Sequence, residues 1–235
     1  MAYDYTTAAL TWDAEAEREY QTGVDHCVLY PRIADGTYPK GYAWNGITNI
    51  TESPDGAEPQ DFWADNIKYA SIRSAETYGG SITAYMYPNA FKPCIGEKEL
   101  APGIVIGQQE RMPFGISYRN IKGNATQKNE YGYIYHLVYG MTVGVSDESH
   151  DTTNEDPELA EFDWDYNTDP IDIPGSRPTS YMEFDTTKMD STMLTKLDDL
   201  LAVLYGTKAS GNDPAVDPRL PLPAEVCQIL GITLG

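Results

Sequence analysis

A chain of 235 residues with 36 acidic and 16 basic side chains carries a formal net charge of −20. A surface that acidic excludes ordinary nucleic-acid binding, which neutralises phosphates with Lys and Arg, but it permits a surface that repels DNA. Apolar residues at 41% with 18 tyrosines exclude a disordered chain. The length suits one large domain, or a domain with small appendages, that can bury a proper core.

The N-terminal residues lack a basic n-region and an apolar h-region, so they do not read as a secretory signal. No stretch approaches the roughly 20 apolar residues that span a bilayer. A soluble protein made in a cytoplasm is the expectation. Cys27, Cys94 and Cys227 are far apart and odd in number, which reads as small buried thiols in a reducing compartment without disulfides. Residues 1–22 are read as an N-terminal arm, carrying Tyr3, Tyr5, Trp12 and Tyr20 at a spacing suited to packing on a neighbour.

From Gly23 the run Val24, Cys27, Val28, Leu29, Tyr30 predicts a first strand, closed by Pro31. A second spans Tyr42 to Ile50, and a polar connection follows from Thr51 to Asp61. Two more strands, Ile67 to Ala75 and Ser81 to Tyr87, are read as joined at Thr77-Tyr78-Gly79-Gly80, because Gly-Gly tolerates the positive φ of a turn. The connection exceeds the two to five residues usual in hairpins, and such loops are usually functional. Pro88 to Gly107 reads as loop with a short helix around Asn89 to Pro93. Phe114 to Ile121 and Tyr131 to Val145 form a hairpin linked by Lys122 to Thr126, with aromatic and β-branched side chains favouring strand.

Ser146 to Glu161 is the most acidic stretch and reads as a solvated loop. In the next segment Phe162, Trp164 and Tyr166 alternate with Asp163, Asp165 and Asn167. A strand with that period buries the aromatics and shows the acids on its other face. Asp163, Asp165, Asn167 and Asp169 also match the first ligand offsets of a calcium loop. Thr168 then stands where the sharp turn needs Gly, and Pro174 where the bidentate Glu belongs. A last strand, Thr179 to Asp185, precedes a helix from Asp190 or Ser191 to Tyr205, with Met193, Leu197, Leu200, Leu201 and Leu204 on one stripe and Gly206 beyond its end. Residues 207–235 read as an extended C-terminal arm with a short final turn.

Motifs that carry chemistry are scarce. The sequence has no Gly-rich phosphate loop, no HExxH, no paired-cysteine zinc spacing and no GxSxG. Of the three histidines, His26 adjoins Cys27 and points to the opposite face of a strand, so the two form no dyad. A protein that is not an enzyme, with no cofactor and no metal, is the expectation.

Trp44-Asn45-Gly46-Ile47-Thr48, then Glu52-Ser53-Pro54-Asp55-Gly56-Ala57-Glu58, Ala64-Asp65-Asn66, Ser74-Ala75-Glu76 and Phe162-Asp163-Trp164-Asp165-Tyr166 resemble the major tail (tail tube) proteins of long-tailed, non-contractile bacteriophages. The likeness continues in Lys196-Leu197, in Tyr205-Gly206-Thr207 and in Pro218 to Val226, and spans about residues 20 to 230. It implies a mainly β fold, two packed antiparallel sheets with one flanking α-helix, over residues 23–206 with the helix at about 190–205. It also implies homo-hexameric rings stacked into a tube that delivers DNA, working with tape-measure, tail-terminator and baseplate proteins. The connection between the early strands then reaches the neighbouring ring, a role for Thr51, Glu52, Ser53, Pro54, Asp55, Gly56, Ala57, Glu58, Pro59, Gln60 and Asp61. Genomic DNA would pass through an acidic lumen without specific binding, and Asp163 and Asp165 are the lumen candidates. A capsid decoration protein and a carbohydrate-binding module, with Tyr131 to Tyr139 as its sugar platform, are the alternatives.

Overall fold

The structure is a computed structural model that describes residues 15–56, 58–73, 76–146, 152, 159–210 and 214–233. Fourteen strands and two helices follow in chain order among these residues. They are β1 (Glu19–Pro31), β2 (Tyr42–Ala43), β3 (Ile47–Glu52), β4 (Asp55–Gly56), β5 (Pro59–Ala64), β6 (Ile67–Arg73), β7 (Glu76–Thr77) and β8 (Gly79–Ala84). Then come β9 (Lys98–Ala101), β10 (Ile104–Ile106), β11 (Phe114–Asn124), β12 (Lys128–Val143), β13 (Phe162–Thr168), β14 (Tyr181–Asp185), α1 (Ser191–Tyr205) and α2 (Pro223–Leu230).

The spine is the β11–β12 hairpin that the alternating tyrosines predict. β12 pairs with β11 on one side; on the other it pairs with β14 through Ile134–Val138 and with β13 through Met141–Val143. The eight-stranded sheet runs β2-β1-β11-β12-β13-β8-β3, with β14 beside β12. Only Trp44, Asn45 and Gly46 separate its first and last strands, so the sheet curls back on itself and its facing layers belong to one hydrogen-bonded sheet. Gly140, at φ +62°, resets the side-chain parity of β12: Val138 points into the curl, Tyr139 out, and Met141 and Val143 in again.

Period-two alternation therefore builds two cores. Cys27, Leu29, Ile82, Ile116, Val138, Met141, Trp164 and Tyr166 fill the curl, and a short 3-10 turn, Asn89–Phe91, plugs it with Phe91 packed 4.4 Å from the Trp44 ring. On the outer face Val28, Tyr30, Tyr135, Leu137 and Tyr139 pack under Leu197, Leu200 and Leu204 of α1 and Val226 and Leu230 of α2. Tyr30 donates to the Leu204 carbonyl at 2.8 Å, satisfying one of the groups that a helix end leaves unpaired. Asp190 caps α1 by accepting from the Met193 amide at 2.8 Å, and Gly206 ends it. The mainly β class with a flanking helix holds. The expected boundaries of α1 hold as well.

Other segments differ from the sequence reading. The Tyr42–Ile50 strand is broken at Gly46, which takes φ +79° and lets β2 and β3 belong to opposite ends of the sheet. β1 begins at Glu19, inside the expected N-terminal arm; residues 1–14 lie outside the described residues. The Pro88–Gly107 loop contains the β9–β10 hairpin, turning at Pro102-Gly103. The described residues of 207–235 are no extended arm. Thr207 bridges to Val216 and Leu220 to Tyr38, and α2 buries Pro223, Val226, Cys227 and Leu230, because this segment supplies the apolar cover that α1 alone leaves incomplete. Most of the acidic 146–161 insert lies outside the described residues.

Candidate functional site

The expected loop is the outgoing leg of a β-arm. Thr51 and Glu52 end β3, Asp55 and Gly56 form β4, and Pro59, Gln60 and Asp61 open β5; Ser53, Pro54 and Glu58 connect them, and Ala57 is outside the described residues. β4 pairs with β7 and β5 with β6, so the arm runs from Ser53 to Thr77. Its tip is Asp65-Asn66, with φ of +51° and +63°, the conformation that favours a two-residue hairpin turn. Gly79-Gly80 is therefore not the turn, and Ile67–Arg73 pairs back on Pro59–Ala64 rather than with Ser81–Tyr87. Two-residue spacing and an Asp-Asn pair flanked by Phe62-Trp63 and Ile67 were the available signal.

The register sorts the arm into two faces. Gln60 lies opposite Ile72, Phe62 opposite Ala70 and Ala64 opposite Ile67, giving one face that is mostly apolar. The other pairs Asp61 with Ser71 and Trp63 with Lys68, and Lys68 bridges to Asp61 at 2.7 Å. Phe62 is 47% exposed, Trp63 68%, Ile67 62%, Tyr69 75% and Ile72 59%. Phe62, Ile67 and Ile72 gather on the first face, whereas Trp63 lies on the second beside Lys68; a lone two-stranded ribbon of this kind is marginal in water.

The second predicted set lies beside the arm's root. On β13 Asp163 and Asp165 are exposed while Trp164 and Tyr166 are buried, as the alternation requires. Asp163 is in register with Thr83 and Asn49, and Asp165 with Ser81 and Thr51. Thr83 donates to the Asp163 carboxylate at 3.0 Å. The exposed face of β3, β8 and β13 thus consists of Asn49, Thr51, Ser81, Thr83, Asp163, Asp165 and Asn167, without Lys or Arg. Successive acids on this extended strand stand about 6.6 Å apart, so they do not wrap one ion as a calcium loop does. A shallow groove lined by Ser53, Asp55, Ser81, Asp165 and Asn167 joins this face to the arm. The structure brings the two predicted sets together.

Other candidates separate. The sugar-platform tyrosines Tyr135 and Tyr139 lie 8% and 0% exposed, packed into the core beneath the helices. His26 sits on a bulge of β1 with φ +51°, and His150 is outside the described residues. His136 is buried between β11 and β14 beside Glu52 at the arm's root. From the sequence Glu52 reads only as part of the Thr51–Asp61 loop, and His136 falls within the Tyr131–Val145 strand. Their meeting depends on a contact between β3 and β12 that no local pattern encodes. Among the described residues, no helix is long and apolar enough to cross a membrane.

No family model matches this chain, and no curated protein does. Among solved structures it is similar to the sheath/tube terminator, in its extended state, of the extracellular contractile injection system PVC. That likeness has 12% identity, covers 75% of this chain and 99% of that one, and has a TM-score of 0.31. A score that low establishes neither a shared fold nor a shared role.

Proposed function

We propose that this chain is a structural virion protein of the tail-tube class, whose copies form hexameric rings stacked into the conduit for DNA delivery. The observation that carries the reading is the arm from Ser53 to Thr77, a ribbon with Phe62, Ile67 and Ile72 exposed. Burying such a face offsets the ordering of the ribbon only when a second surface covers it. The motifs that resemble tail tube proteins support the same reading. Trp44 to Thr48 leads into the arm, Glu52 to Glu58 forms its first leg, and Phe162 to Tyr166 forms the strand with the acidic face.

In the assembled tube the arm reaches the adjacent ring, and the face with Asp163 and Asp165 lines the lumen. A face of hydroxyls, amides and carboxylates gives phosphates no cation to hold, so DNA slides without counterion release to retain it. The protein acts without catalysis, in the virion tail, with tape-measure, tail-terminator and baseplate proteins as partners after assembly in the host cytoplasm. Sedimentation of the purified chain over a range of concentration and salt tests self-association. Large species should grow with concentration and with salt, which screens carboxylates from one another. A monomer under every condition contradicts the reading.

A further inference from the structure

The arm meets the curled sheet at a buried polar cluster. Tyr118 of β11 donates to the Glu52 carboxylate at the end of β3. The His136 ring of β12 stacks on Tyr118, centroids 4.6 Å apart and 7° from parallel, with Nδ1 3.7 Å from the same Glu52 oxygen. The His136 Nε2 and the Tyr78 hydroxyl are buried with no hydrogen-bond partner. Tyr78 begins the return from the arm and stacks on Tyr181 of β14 at 4.8 Å. Tyr166 donates to the Thr51 carbonyl at 3.3 Å. Both legs of the arm are thus gripped within one cluster.

We propose that His136, Tyr118 and Glu52 form a proton-operated latch on the arm, closed when the imidazole is neutral and released when it takes a proton. The groups facing it are Glu52 of β3, Tyr118 of β11, Glu183 and Tyr181 of β14, Tyr78 and Tyr166. Burial, together with the Glu52 charge, holds the phenols of Tyr78, Tyr118 and Tyr166 well above their ordinary range, so they stay neutral. Burial lowers His136 below its ordinary 6.5, although Glu52 and Glu183 pull the other way. The imidazole is therefore neutral near neutral pH.

The neutral ring carries one N–H; a proton from solvent goes to the other nitrogen, so that both become donors. Nε2–H then has no acceptor, and Nδ1–H has only the Glu52 oxygen that Tyr118 already uses. Both demands are met when water enters and the end of β3 shifts, which frees the first leg of the arm. A base with a lowered folded pKa contributes stability that is complete above 6.5 and lost as pH falls below it.

This inference builds on the arm as the assembly contact, but it is tested on dilute, unassembled chain. Hydrogen exchange of the Ser53 amide, which donates to the Gly79 carbonyl at 2.7 Å, reports opening of the root. Amides of the β11–β12 hairpin serve as the reference. Below 6.5 the Ser53 protection should fall by up to about tenfold per pH unit relative to that reference, after correction for intrinsic rates. His136→Phe, which keeps a stacked ring without a titrating nitrogen, should show no such fall. If that variant does not fold, His136→Gln takes its place. Equal falls in wild type and variant, or no fall in wild type, overturn the latch. A chain that shows the latch but never assembles overturns only the tube reading.

Discussion

The carbonyl oxygen of Thr51 lies 1.8 Å from where a Cβ on Gly80 would stand. The two legs of the arm therefore leave the sheet through an approach that only glycine permits. Ser53 and Gly79 close it with a 2.7 Å backbone hydrogen bond, and the paired strands beyond them form a ribbon that projects from the curled sheet.

Excising the arm tests that division. Replacing residues 54–76 by a short Gly-Ser linker should leave a folded chain whose melting temperature is close to wild type, and which no longer polymerises. A milder version, Phe62→Ser with Ile72→Ser, should change stability by less than about 0.5 kcal/mol, because both side chains are exposed in the isolated chain. Assembly should weaken all the same. Sedimentation and thermal melting of both variants separate the two effects, and normal polymerisation of the arm-less chain would remove the arm from assembly.

The helix stripe gives a graded prediction. Leu197 and Leu200 are 2% and 0% exposed, whereas Leu201 is only partly buried. Leu197→Ala and Leu200→Ala should each cost about 2–5 kcal/mol, and Leu201→Ala clearly less. Urea unfolding of the three variants measures the order. Equal losses at all three would mean that α1 sits differently on the sheet.

A buried ammonium sets the acid response. Lys122 is 5% exposed at its side chain and lies 2.8 Å from Asp185 and 2.7 Å from Glu19. Burial by itself would raise the Asp185 carboxyl, but the hydrogen bonds from Lys122 and Thr187 prevail and hold it down to about 2. The folded value lies below the ordinary 3.8, so this contribution is complete above 3.8 and lost as pH falls to about 2. Asp185→Asn should therefore be less stable than wild type near neutral pH, by roughly 1–3 kcal/mol. The gap should narrow between about pH 4 and pH 2, read from urea unfolding at each pH. A gap independent of pH would mean that the ion pair is not formed.

Local periodicity made much of this fold legible. Phe162 to Tyr166 and the Leu197–Leu204 stripe each bury one face of their own element, and the aromatic and β-branched run Tyr133 to Tyr139 marks a strand buried on both faces. The arm escaped because it packs on no part of the curled sheet, and Gly79-Gly80 carries the residues of a turn while serving as a close approach. The turn itself is made by Asp65-Asn66, both in the left-handed conformation. The C-terminal helix had its own markers, Pro223 at the first turn and Gly231 in the left-handed conformation after it, but short length made it read as an arm. The Glu52–Tyr118–His136 cluster was not legible at all. Its members are brought together by β3, β11 and β12 only once the sheet has curled.

Electron microscopy of the purified full chain at high salt is the most direct test that these copies build a tube. Rings with six-fold symmetry and an open channel should appear, joined into short stacks, with the Asp163 and Asp165 face on the channel wall and the arm crossing to the adjacent ring. Single copies at every concentration, or assemblies without a channel, would contradict it.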